Sequence, residues 1–442
     1  MGGPIKKNKI FFFAGYQGTT LRSSAAPTTT FVPTQQMLAG DFSTFASVAC
    51  QGKNVTLGAP FATVNGVPNQ LPQSQISPVS LKIATYLPAA LNNCGQYLSI
   101  IDTSQYYWQL PVRVDYQVND KQSIFFRYIV TKQNQVLPYA LTPNNIFASS
   151  CLTCNSADDT AQSAALGHTW LMSGTKVNSL RLSINRIYML HDGARYFGPT
   201  DVGIDAFTYL PKVMTLAITG GPSIGQGVAE RVWNAHTFGT VNDDFSLIHG
   251  AHQFSFGANE TRGIALDLAN VRSIGNYTVN GQTTGLGMAD FLAGYLSQMR
   301  QSIPNDLDVR QWYFGAYAQD TWKATNRLTV TYGLRWEPFF PMQVGDGRIY
   351  TFSLARFYAG TQSRIWTNAP PGFYYPGDPG FNGKAGINGS WKNFEPRVGI
   401  AFDPFGEARL RSAWAPESIT TSSICSRIRT KITSRRSPAI RR

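Results

Sequence analysis

Polar and apolar side chains alternate along much of this chain with a period of two. Val112, Val114, Tyr116 and Val118 point one way, and Arg113, Asp115 and Gln117 the other. That is the period of a β-strand with one apolar and one polar face. Asn119-Asp120-Lys121 then supplies turn chemistry. A return strand follows, with Ile124, Phe126, Tyr128 and Val130 opposite Phe125, Arg127 and Ile129. Arg127 and Asp115 are therefore expected on one polar wall.

The unit recurs. Ala165–Met172 turns at Ser173-Gly174-Thr175 into Val177–Tyr188, and Phe238–Leu247 turns at His249-Gly250 into Gln253–Arg262. Trp312–Trp322 turns at Thr325-Asn326 into Leu328–Glu337. The strands are expected to be about ten residues long, which suits a tilted crossing of a bilayer. The links between hairpins are long: 18–104, 132–159, 192–231, 263–295 and 339–392. Short turns at one end and long loops at the other mark outer-membrane barrels. Compact soluble sandwiches connect their strands with shorter loops. Within the loops, 25–50 is rich in Ala, Pro and Thr, 76–90 has room for one or two helical turns, and the Pro and Gly of 368–389 exclude regular structure.

Composition moves the balance toward the barrel. Only 14% of residues are charged and 13% are aromatic, where a soluble domain carries about 25% charge. A secreted all-β protein with an aromatic surface shares this composition. The net charge of +13 suggests nucleic acid until it is located. Residues 408–442 hold nine Lys/Arg and one acid, while the other 407 residues hold 29 Lys/Arg and 24 Asp/Glu. The body has no basic stripe to follow phosphates, so no nucleic-acid partner is expected. No apolar run approaches the ~18–20 residues of a membrane-spanning helix. Met1–Lys7 has no apolar export signal.

Candidate chemistry is sparse. Cys151-x-x-Cys154 has the spacing of half a zinc or redox site but lacks two further ligands, so a loop disulfide or idle thiols is the simpler reading. Cys50 and Cys94 flank one long loop and are candidates to pair. His249-x-x-His252 lies in a hairpin turn without a third ligand. Gly220–Gly227 lacks the following helix that a phosphate loop needs. Asp243-Asp244 reads as a lumen-facing or interfacial acid. Neither a catalytic triad, a paired-carboxylate site nor a cofactor cradle stands out, and no enzyme activity, metal or cofactor is expected. The best functional set is Arg113, Asp115, Arg127, Arg181, Arg335 and Glu337, candidates to line a barrel lumen. The structural alternative is charges that satisfy one another on a wet wall.

Several segments then carry a family resemblance. They are Gly2-Gly3-Pro4-Ile5 with Lys9–Phe13, Val32-Pro33-Thr34 with Gly40-Asp41-Phe42-Ser43, and Leu166–Trp170 with Val177-Asn178 and Asn185-Arg186. Gly250–Gly257 and Ala289–Tyr295 follow. After them come Gln319–Lys323, Arg327-Leu328-Thr329, Gly333–Glu337, Asn393–Gly399 and Asp403–Gly406. In this order and spacing they resemble the Oar-like branch of TonB-dependent receptors over most of residues 2–406.

The resemblance implies an outer-membrane location, a lipid environment, an unidentified solute and energy delivered by a TonB complex through a plug. It also implies a signal peptide, a TonB box and a plug before Gly2, and further strands after Gly406. The chain is therefore expected to be all-β: a partial antiparallel transmembrane β-barrel with long extracellular loops and short periplasmic turns. About ten strands of a barrel that closes at about 22 are expected here. Residues 1–406 form the barrel region and 407–442 a basic, non-barrel tail, disordered or out of frame. The function implied is solute movement across the outer membrane by the complete protein. A surface adhesin or carbohydrate-binding β-protein stays open as the alternative, and a secreted hydrolase ranks below it.

Overall fold

The computed structural model describes residues 1–24, 27–99, 102–135, 156–193, 195–225, 231–403 and 412–414. One antiparallel sheet of 14 strands dominates. In chain order its strands, apart from the short Gln343–Val344, are β1 (Gly2–Lys6), β2 (Ile10–Ala14), β3 (Gln17–Ser24), β4 (Asp102–Asn119), β5 (Gln122–Gln135), β6 (Ser156–Ser173) and β7 (Lys176–Asp192). Then come β8 (Arg231–His249), β9 (His252–Ala269), β10 (Asn305–Lys323), β11 (Leu328–Trp336), β12 (Phe394–Phe402) and β13 (Ser412–Trp414). Each strand from β4 to β13 pairs with its predecessor, as a meander, and β2 and β3 both pair with β4. Among the described residues the sheet does not close, and β1 and β13 are its edges.

β2 and β3 are one strand in all but hydrogen bonding. Ile10 faces Tyr116 and Gln17 faces Gln109 in unbroken register. The gap falls opposite Pro111, which accepts from Gly15 N but has no N–H to return. Proline also ends β11, whose next residues include Pro338 and Pro341. The upper part of β10 then pairs with Gln343–Val344 instead.

The ladders from β4 to β10 run 14 to 19 residues, longer than the ten or so expected. The excess lies at the long-loop end, in stretches such as Ser156–Thr160. Both faces are polar there, so periodicity marks no strand, yet the ladder continues. On β10, Trp312 and Trp322 stand on the apolar face, 46% and 40% exposed. Ten residues at ~3.3 Å each, tilted about 40°, span roughly 25 Å in height, the apolar band of an outer-membrane barrel. About ten residues per strand thus match a bilayer, and the remainder stands above it.

The long loops hold the chain's main apolar core. Met37, Phe42, Phe45, Phe197, Met214, Tyr277, Met288 and Leu292 are buried in one cluster drawn from 27–99, 195–225 and 270–304. Of the apolar residues buried in the structure, the long ladder strands supply only Ala157 and Val309. The cap so formed contains helices α1 (Pro78–Ala84) and α2 (Gly287–Ala293) and a four-stranded sheet in which Thr215–Ile218 lies parallel to Asn276–Val279. Ser77 caps α1 and Pro78 opens it, where a missing N–H costs nothing. Cys50 and Cys94 form a disulfide across the cap. Cys151, Cys154 and Cys425 lie outside the described residues. The 368–389 stretch is turns apart from Phe373–Tyr374, a two-residue strand pairing with Thr351–Phe352. The ladder also reaches past residue 406, since Ser412–Trp414 pairs with Ile400–Phe402. No helix among the described residues is long and apolar enough to cross a membrane, which is silent about strands.

Candidate functional site: the polar wall and its cap

Register places the six charged candidates on a single face. Residues directly opposite in an antiparallel pair share a face. Asp115 faces Phe125, Arg113 faces Arg127, and Arg127 faces Ala165. Gly167 connects Phe125 to Arg181, and Arg181 faces Asn242. Asn242, Asn259 and Gly315 continue the row, and Tyr317 faces Arg335. The polar alternation is one continuous wall.

The structure joins some of these residues and separates others. Arg113 grips Asp115 with two hydrogen bonds of 2.8 and 2.7 Å, and its guanidinium lies 4.7 Å from the Phe125 ring centre. Arg127 is opposite Arg113 and shares the polar wall with Asp115, whose hydrogen-bonded partner is Arg113. Arg181 has no acidic partner among the described residues. Arg335 pairs with Glu337 and donates to Tyr313 Oη at 2.9 Å and Asn259 Oδ1 at 3.1 Å. Tyr313 donates to Glu337 at 2.5 Å, and Tyr317 donates to Asp244 at 2.8 Å. A depression of about 320 Å³ beside this network is lined by Tyr317, Gln319, Arg335 and Arg397.

Tyr313, Tyr317, Asn259 and Arg397 belong to the site but escaped sequence reasoning. Their odd-numbered positions in β9, β10 and β12 carry the signal, because they alternate with the apolar residues there. Glycines shape the wall. A Cβ on Gly257 would sit 2.3 Å from Tyr317 Cε1, and one on Gly315 would sit 2.6 Å from Arg335 Nη2. Both side chains therefore lie flat against the sheet. The adjacent acids Asp243 and Asp244 point to opposite faces: Asp244 takes Tyr317, while Asp243 accepts from Asn178 at 2.7 Å. His249 and His252 face each other across a turn on the apolar side. His252 bonds Asp320 at 2.7 Å and stacks on Trp322.

The cap's polar groups are structural. Asp290 is fully buried and accepts from Thr283 N, Thr284 N and Thr284 Oγ1. Asp41 accepts from Gln36 at 2.9 Å, Ser43 N at 2.9 Å and Gln70 at 2.6 Å. Burial raises its pKa, but these bonds outweigh burial and hold it below the usual carboxylate range. Asp378, in the 337–393 loop, is likewise depressed: burial opposes, and Ser363 Oγ, Arg364 N and Tyr375 N prevail.

Residues 1–422 match the family model described as outer membrane beta barrel domain. The chain belongs to that family. It is thus an outer-membrane protein whose apolar face meets lipid. No curated protein matches the chain. Among solved structures it is similar to the outer membrane transporter YddB from Escherichia coli, at 8% identity and TM-score 0.41, covering 92% of this chain and 36% of that one. It is similar to the siderophore receptor PirA from Acinetobacter baumannii at 10% identity and TM-score 0.36, covering 91% and 37%. The ferric enterobactin receptor PfeA from Pseudomonas aeruginosa gives 10% and 0.35, covering 91% and 47%. The chain spans about a third to a half of the length of these proteins.

Proposed function

We propose that this outer-membrane barrel domain is part of an Oar-like TonB-dependent transporter, and that the complete protein moves a solute too large for an open pore. The observation that carries the reading is the asymmetry of the sheet. Short turns close one end, and three loops fold into a cap over the other. On this reading Arg113, Asp115, Arg127, Arg181, Arg335 and Glu337 line the lumen, where they meet water, a plug or the solute. The barrel region is residues 1–406, continued by the short strand Ser412–Trp414, and the basic tail beyond it lies outside the membrane-crossing part. Energy coupling rests with a plug and a TonB complex, the protein itself having no enzymatic role. The ordered motif series from Gly2 to Gly406 supports the subtype. An open sheet leaves two edges of unpaired N–H and C=O groups, which lipid cannot satisfy, so closure requires further strands.

Export of the chain behind an added signal, then membrane fractionation and heat-modifiability on a gel, tests the membrane part. Solute uptake by cells carrying the longer protein tests transport. A heat-modifiable, detergent-requiring species is expected. A species soluble without detergent overturns the reading and favours an adhesin or carbohydrate-binding β-protein, to which the folded cap also lends itself.

A further inference from the structure

The apolar face ends in an uncompensated pair of arginines. Arg262 stands level with Trp312 in the ladder row Ile184–Gly239–Arg262–Trp312. The next row toward the cap is Arg186–Thr237–Ile264–Arg310. The register is unbroken through both rows, so all three arginines project from the lipid side of the wall, and all three are exposed. Arg186 and Arg310 are three ladders apart, about 14 Å at ~4.8 Å per ladder. Arg262 holds its guanidinium 5.1 Å from the Trp312 ring centre.

Several cations above this level have acidic partners, although Arg22 on β3 has none among the described residues. Lys132 pairs with Asp158 at 2.5 Å, Arg195 with Asp192 at 2.9 Å, and Arg348 with Asp306 at 2.7 Å. Arg310 pairs with Asp308 at 2.9 Å but remains half exposed. Arg186 and Arg262 have no ion pair among the described residues. Glu260 shares the face one row below, yet Arg262 turns to Trp312 rather than to it. Two unneutralised guanidinium groups thus sit at the height where the apolar band gives way to headgroups. A guanidinium fork matches a phosphate with two parallel hydrogen bonds, and an aromatic ring suits this level of a membrane.

We propose that Arg186 and Arg262, with Arg310 beside them, hold the phosphate of an anionic outer-leaflet lipid against the wall between β7 and β10. The bound lipid fixes the height of the wall in the membrane and screens the guanidinium groups from hydrocarbon. Charge complementarity and continuity with the lipid-facing band identify the partner, independently of any transported solute.

The test uses the full chain, exported and extracted in mild detergent, with phosphatidylglycerol and phosphatidylcholine as competing probes and native mass spectrometry as readout. Wild type is expected to retain phosphatidylglycerol selectively, and less of it as salt rises. The double variant Arg186→Gln, Arg262→Gln loses about 30-fold in retention, at about five-fold per charge near an anionic surface. The double Lys variant keeps charge without the fork and falls between. Equal retention of both lipids by wild type, or undiminished retention by a folded Gln variant, overturns the proposal. So does displacement by equimolar inorganic phosphate, which indicates a free-anion site. If the Gln variant yields no heat-modifiable band, wild type against the Lys variant decides: equal retention by both sinks the arginine-specific assignment.

Discussion

The wall and the cap of this protein are held by opposite means. The wall is backbone: 14 strands in continuous ladders whose side chains stay partly exposed on both faces. Its outer face needs no apolar core, because lipid provides the apolar phase. The cap stands in water and must bury its own. Phe42, Phe197, Met214 and Met288 are fully enclosed there, and Cys50–Cys94 limits the freedom of the unfolded segment. One chain therefore carries two stability regimes, divided near the level of Trp312.

Four perturbations separate the regimes, and the largest acts on the cap core. Phe42→Ala should cost about 3–5 kcal/mol, the range for emptying a buried aromatic site. Limited proteolysis should cut 27–99 faster while the heat-modifiable band persists. Phe126→Ala on the lipid face, where the ring is 44% exposed, should leave both readouts nearly unchanged. Loss of the heat-modifiable band in Phe42→Ala would show that the two regions fold as one unit.

Next comes Cys50→Ser. The disulfide closes a sequence separation of 44 residues, for which loop entropy gives about 4 kcal/mol and engineered cases often give less. Proteolysis of the cap under reducing and oxidising conditions measures it, and no redox dependence would remove the disulfide from the account. Third, Gly257→Ala forces a methyl into the Tyr317 ring. It should cost about 1–3 kcal/mol of overpacking, lowering the temperature at which the heat-modifiable band converts without altering cap proteolysis.

The smallest expected effect is acid sensitivity. Asp41 and Asp378 have folded pKa values below their unfolded ones. The stability they add is complete above the unfolded value, ~3.9 for Asp, and is lost as pH falls through the depressed folded values. Loop proteolysis by an acid protease should thus rise below about pH 4, before the barrel band changes. Asn substitution at each site should remove that site's share of the rise, and a rise undiminished in the Asp41→Asn, Asp378→Asn double variant would exclude these carboxylates.

Much of the wall was legible in advance. Alternation at Val112–Val118 and Leu328–Glu337 placed the faces, and Asn119–Lys121 and Ser173–Thr175 placed turns. Six charges were put on the polar face because their positions are odd in each alternating run. Strand length was underestimated, since Ser156–Thr160 is polar on both faces and leaves no period to detect. The Arg335 network was half visible. Glu337 is two residues away and falls on the same face, but Asn259 is 76 residues away and meets Arg335 only through the β9–β10–β11 register.

The cap was not legible as a folded body. Met37, Phe197 and Met288 lie in three different loops rich in Gly and Pro, and nothing local relates them. The motif Ala289–Tyr295 was recognisable as a pattern, but its physical role appears only in three dimensions. Asp290 ties the 283–284 turn to α2, and Gly294 ends the helix at φ 80°, where a Cβ would meet Ser77. The sequence by itself determined the strands, their two faces and the end at which the chain turns short, because a period of two is a local property. Tertiary structure alone decided which loops share a core, which charges pair and which two arginines at the edge of the lipid band have no ion pair among the described residues. Those outcomes depend on register and packing between residues far apart in the chain.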